Sequence, residues 1–173
     1  SPRPQSGRVV CCNLISPFET CIDFAWVVLD ADSMKFLVIA DIDHLGWENG
    51  TGQADALLSC GDLFDQVILG AAEAFECETV YAVKGNHDSA DAFAFPIKDL
   101  HLTTYRLGDI TLGGFNGSWR YKNKGAYLYD QDEVEQALAD FPPVDIFVSH
   151  NSPRGIHDKD DGCHYGFDGL LQY

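Results

Sequence analysis

Four short apolar runs in this chain each stop abruptly at a cluster of residues able to ligate metals or move protons. Lys35 to Ala40 runs into Asp41-Ile-Asp43-His44, and Ala54 to Cys60 runs into Gly61-Asp62-Leu-Phe-Asp65. Thr79 to Val83 leads to Gly85-Asn86-His87-Asp88, and Val144 to Val148 leads to Ser149-His150-Asn151. Apolar runs of this length, bounded by Gly and Asp, read as strands buried on both faces. In α/β sheets, sites gather at the carboxyl ends of strands, where loops meet above a rigid scaffold. The pattern therefore constrains both the fold class and the place where chemistry occurs.

Helical signals fall between the strands. Phe64, Val67, Ile68, Ala71, Ala72 and Phe75 share one helix face. Asp130 and Glu133 resemble a capping box, Val134, Ala137, Leu138 and Phe141 continue a helix stripe, and Pro142-Pro143 ends it. His101 to Arg106 and Ile110 to Phe115 flank Gly108-Asp109, a hairpin signal. Strand and helix alternate, which predicts an α/β layered domain.

Each polar cluster taken singly is an ordinary turn former. Together, always at a strand's end, they bring carboxylates, an amide oxygen and imidazoles to one edge. That donor set suits divalent Mn, Fe or Zn. The net charge of −16, from 27 acidic and 11 basic residues, argues against binding a phosphate backbone through Lys and Arg. Nucleic acid is then expected only as a substrate. No apolar run approaches the length of a membrane span. Cys11, Cys12, Cys21, Cys60, Cys77 and Cys163 form no CxxC pair, so they read as reduced thiols of a cytoplasmic protein.

The order Asp41, Gly61-Asp62-x-x-Asp65, Gly85-Asn86-His87-Asp88, then His150 after a strand resembles the calcineurin-like metallophosphoesterase superfamily. The resemblance covers Met34 to Tyr173. It implies layered β-sheets flanked by helices and a two-metal hydrolase of phosphomonoesters or phosphodiesters. Asp62 would bridge two divalent ions, Mn foremost, with Fe, Zn or Mg as alternatives. Asp41 would ligate one ion, and Asn86 and His150 the other. A metal-held hydroxide would attack phosphorus in line. His87 would be the catalytic histidine, oriented by Asp88, and Asp65 would support the site without ligating.

Two departures stand out. Asp43 occupies the place of the family's histidine in Asp-x-His, with His44 following. Asp43 is the expected ligand because substitution in register needs no backbone distortion, and a local bulge bringing in His44 is the alternative. The family's final Gly-His-x-His is also absent, so the domain is expected to be truncated beyond Tyr173. Residues 1–33, ahead of the only methionine, Met34, read as a non-native or disordered extension. The rival is a genuine extension whose Phe24 to Leu29 adds an edge strand.

Arg120 and Arg154 are candidate phosphate-binding residues. His101 reads as structural, and Asp158, Asp160 and Asp161 as a solvated loop. The alternative function is a catalytically inactive interaction or scaffold domain on the same fold.

Overall fold

The computed structural model describes residues 8–11, 25–28, 34–41 and 52–173. The apolar runs are strands, and they sort into two main sheets. The first holds β2 (Ala25–Val28), β3 (Lys35–Ile39), β4 (Ala56–Ser59), β5 (Thr79–Ala82) and β6 (Lys98–Asp99), in that order. β2 is antiparallel to β3, while β3, β4, β5 and β6 are mutually parallel. The crossover from β4 to β5 is α1 (Asp65–Ala74).

The second sheet has the order β1 (Arg8–Cys11), β11 (Ile146–Ser149), β8 (Ile110–Phe115) and β7 (Tyr105–Leu107). β7 and β8 form the expected hairpin, with Leu107 opposite Ile110. A small ladder pairs β9 (Ser118–Trp119) with β10 (Leu128–Tyr129). Helices α2 (Gln131–Leu138) and α3 (Asp168–Gln172) complete the described elements. Within residues 1–33 the two described segments, β1 and β2, each pair at the edge of a sheet.

Side-chain alternation along the strands builds the layers. Phe36, Val38, Leu58 and Tyr81 of the first sheet share a core with Ile110, Leu112, Ile146 and Val148 of the second. The two sheets thus pack face to face. On the outer face of the first sheet, Leu37, Ile39, Leu57 and Val80 meet Ile68, Ala71 and Phe75 of the α1 region. On the outer face of the second, Phe115 and Phe147 meet Val134 and Leu138 of α2 and Leu170 of α3. Each such fully buried apolar side chain contributes about 1.5–3 kcal/mol relative to exposure.

Local details depart from expectation at two places. Phe64, placed by periodicity on the buried helix face, is the α1 N-cap in extended conformation and 80% exposed. The helix begins one residue later, so the face it buries starts at Val67 and Ile68. The strand expected from His101 is shorter, because His101 makes only an isolated bridge to Gly114 before β7 begins at Tyr105. The capping box of α2 does form, with the Asp130 N–H donating to Glu133 Oε2 at 2.7 Å. Among the described residues, no helix is long and apolar enough to cross a membrane.

Candidate metal centre

Parallel β3, β4 and β5 end along one edge, and β11 ends opposite them in the facing sheet. Asp41 follows β3 and Asp62 follows β4. Both take left-handed backbone conformations, φ 51° and 57°. Asp tolerates this region better than most residues, but it remains an uncommon conformation concentrated at functional sites. The Asp41 N–H donates to the Gly61 carbonyl at 3.3 Å.

Close approach of the two loops depends on glycines. A Cβ on Gly61, itself at φ +99°, would lie 2.4 Å from the Gly85 nitrogen. A Cβ on Gly85 would lie 2.0 Å from Asp62 Oδ1. The space so released is used by hydrogen bonds. The His87 N–H donates to Asp62 Oδ1 at 2.8 Å. Asp88 Oδ2 accepts from the N–H groups of Asp62 at 2.9 Å and Gly85 at 2.7 Å, and Oδ1 accepts from that of Leu63 at 3.0 Å.

His150 is buried, and its Nδ1 lies 2.8 Å from the Cys60 carbonyl oxygen. A carbonyl only accepts, so Nδ1 carries the proton and, in the neutral ring, Nε2 presents its lone pair. That nitrogen lies 3.6 Å from Asp62 Oδ2. One ligand atom each from Asp41, Asp62 and His150 lie within 4.8 Å of one another. A backbone carbonyl holding Nδ1–H is the arrangement that orients metal-ligating histidines.

The electrostatics fit a cation. Loss of hydration raises the Asp41 carboxyl above the usual carboxylate range; His150 opposes the rise, and Asp62 and Asp88 add to it. His87 also favours the ionised form of Asp41. Asp88 is likewise raised, first by loss of hydration, against the pull of the Gly85 and Asp62 N–H donors. Crowded carboxylates whose charge is poorly compensated are stabilised by a bound divalent ion.

Asn86 joins the same edge. Its Oδ1 accepts from the Ser118 hydroxyl at 2.7 Å, and its Nδ2 donates to the Tyr121 hydroxyl at 3.2 Å. Ser118 and Tyr121 lie in the segment after β8. Their contact with Asn86 had no signal in spacing. Lys84, which precedes the Gly85 turn, is buried with its ammonium 4.0 Å from the Phe93 ring centroid. Its N–H donates to Asn116 Oδ1 at 2.8 Å.

Other expected site residues are engaged elsewhere. Among the described residues Asp88 makes no hydrogen bond to the His87 ring; its carboxylate is taken up by backbone N–H groups. Asp65 Oδ2 accepts from the Ala94 N–H at 2.6 Å, tying the start of α1 to the following loop. Arg120 pairs with Asp130 at 3.1 Å and Glu133 at 2.8 Å. Arg154 pairs with Asp158 and lies 3.6 Å over the Tyr165 ring. Both guanidinium groups are thus held by carboxylates rather than offered to a phosphate. Asp161 and His164 pair on an exposed loop. His101 Nδ1 accepts from the Asn116 N–H at 3.1 Å, and burial lowers its pKa. Asp43 and His44 lie outside the described residues, as do Cys12 and Cys21, while Cys11 ends β1 opposite Ser149.

Comparisons with protein-family models, with curated proteins and with solved structures gave no match to this chain.

Proposed function

We propose that this chain is a metal-dependent phosphoesterase that hydrolyses a phosphomonoester or phosphodiester with the help of two divalent ions. The observation that carries the reading is the meeting of Asp41, Asp62 and His150, with ligand atoms within 4.8 Å. Two carboxylates and one oriented imidazole form a mixed oxygen and nitrogen donor set, suited to Mn²⁺ or Fe²⁺ and acceptable to Zn²⁺ or Mg²⁺. The resemblance groups His150 with Asn86, but the nearness of its ring to Asp41 and Asp62 favours these three for one ion, with Asp62 and Asn86 serving the second. The ions, when bound, supply Lewis acidity toward the phosphoryl group and lower the pKa of water.

The protein's own residues supply the remainder. Asp62 is held by the His87 N–H, so the central carboxylate is positioned before any ligand arrives. The His87 ring is exposed at the same turn and is the proton donor to the leaving oxygen. Asp88 clamps the Asp62 and Gly85 turns together and acts through them.

The test is hydrolysis of aryl phosphate mono- and diesters by the chelated chain before and after Mn²⁺ is restored. Activity should vanish with chelation and return with Mn²⁺. His87→Asn should lose rate while still binding Mn²⁺. Absence of hydrolysis with any of the four metals, or full activity of His87→Asn on a poor leaving group, would contradict the reading.

A further inference from the structure

We propose that Tyr121 contacts the substrate, donating its phenolic proton to a phosphoryl oxygen seated beside Asn86. The inference rests on the phosphoesterase reading and extends it to the segment that grips the phosphate.

The orientation of the Asn86 amide leads to it. Ser118 Oγ lies 2.7 Å from Oδ1, the usual length of an O–H···O bond, and Ser118 is 5% exposed. Tyr121 lies 3.2 Å from Nδ2. An amide N–H can only donate, so the Tyr121 oxygen accepts and its own proton must go elsewhere. Among the described residues no group takes that proton.

The segment cannot drift from Asn86. The Gly117 N–H donates to the Lys84 carbonyl at 2.7 Å, and Arg120 N–H to the Tyr129 carbonyl at 3.0 Å. Gly117 sits at φ +79°, where a Cβ would come 2.0 Å from the Tyr127 carbonyl oxygen. The hydroxyl is therefore a preorganised donor on a fixed support.

Charge adds a second argument. A phosphate anion approaching a chain of net charge −16 needs local positive potential. Arg120 and Arg154 are neutralised by carboxylates. Lys122, with its ammonium 4.9 Å from the Tyr121 ring centroid, has no carboxylate within ion-pairing distance among the described residues. The hydroxyl beside Asn86 thus belongs to a ring that also carries a cation against it.

The experiment compares wild type, Tyr121→Phe and Ser118→Ala, with melting temperature verifying that each is folded. Three quantities are read: Mn²⁺ affinity by calorimetry, orthophosphate binding to the Mn²⁺-loaded protein, and kcat and KM on an aryl phosphate. Tyr121→Phe should keep wild-type Mn²⁺ affinity, bind orthophosphate roughly tenfold more weakly and raise KM by a similar factor. Ser118→Ala should instead weaken Mn²⁺ binding by releasing the Asn86 amide. Wild-type orthophosphate affinity and KM in Tyr121→Phe would overturn the proposal while leaving the phosphoesterase reading intact. So would a loss in Tyr121→Phe confined to Mn²⁺ affinity, because the hydroxyl would then serve Asn86 alone. A wild-type chain that neither binds Mn²⁺ nor hydrolyses the ester would overturn the reading and the proposal together.

Discussion

Asp62 and Gly85 approach so closely that a methyl group on Gly85 would lie 2.0 Å from Asp62 Oδ1 and 2.8 Å from the Asp62 nitrogen. Two turns from different strands thus share one volume, and only the missing side chain allows it. Gly85→Ala must push the Asp62 carboxylate out of place. The expected cost is about 1–3 kcal/mol of stability, as for overpacking elsewhere, together with loss of Mn²⁺ binding. Gly162→Ala, whose Cβ would meet nothing within 4 Å, should leave both unchanged. Thermal melting and calorimetric metal titration of the two variants check this.

Asp88 separates a clamp from a histidine-orienting role. Its carboxylate accepts from the N–H groups of Asp62, Leu63 and Gly85. Asp88→Asn puts an amide donor against at least one of those donors. Stability should fall by about 2 kcal/mol, the scale of one hydrogen bond to a charged group. Mn²⁺ affinity should fall with it, because the Asp62 turn is released. An Asp88→Asn variant with native melting temperature and metal affinity, but slowed hydrolysis, would instead assign Asp88 to the His87 ring.

The Asp41 carboxyl predicts a pH slope of defined sign. Its pKa is raised in the folded protein, so the folded state holds the proton more tightly than the unfolded state. As pH rises from the unfolded carboxyl's range through the raised folded value, the metal-free protein loses stability. Asp41→Asn removes that loss. In chelated samples it should raise the melting temperature at neutral pH more than in acidic buffer, while weakening Mn²⁺ binding. Equal shifts at both pH values would show that Asp41 carries no unfavourable charge.

Much of the scaffold was legible because apolar runs and turn residues are local signals. β3, β4, β5 and β11 lie where continuous apolar stretches meet Gly, Asp or Ser, and the Asp130–Glu133 capping box marks the start of α2. Phe64 was misplaced because periodicity locates a helix face but not the residue at which the helix starts. Asp41, Asp62, Asn86 and His150 were readable as a set from their positions after strands. What each carboxylate touches was not readable in this way. Asp88 bonds across 25 or more residues to Asp62 and Leu63, and Arg120 reaches Asp130 and Glu133 across a loop. Such pairings depend on side-chain direction in the assembled fold. Ser118 and Tyr121 escaped for the same reason: their hydroxyls meet Asn86 from 32 and 35 residues away.

The central claim is that Asp41, Asp62 and His150 hold a divalent ion. Calorimetric titration of Mn²⁺ into the wild-type chain and Asp62→Asn tests it most directly. Wild type should bind Mn²⁺ saturably. Asp62→Asn should bind at least roughly tenfold more weakly, since even residues that only support metal ligands cost that much when removed. Mn²⁺ affinity equal in the two proteins, or no binding by wild type, would contradict the account.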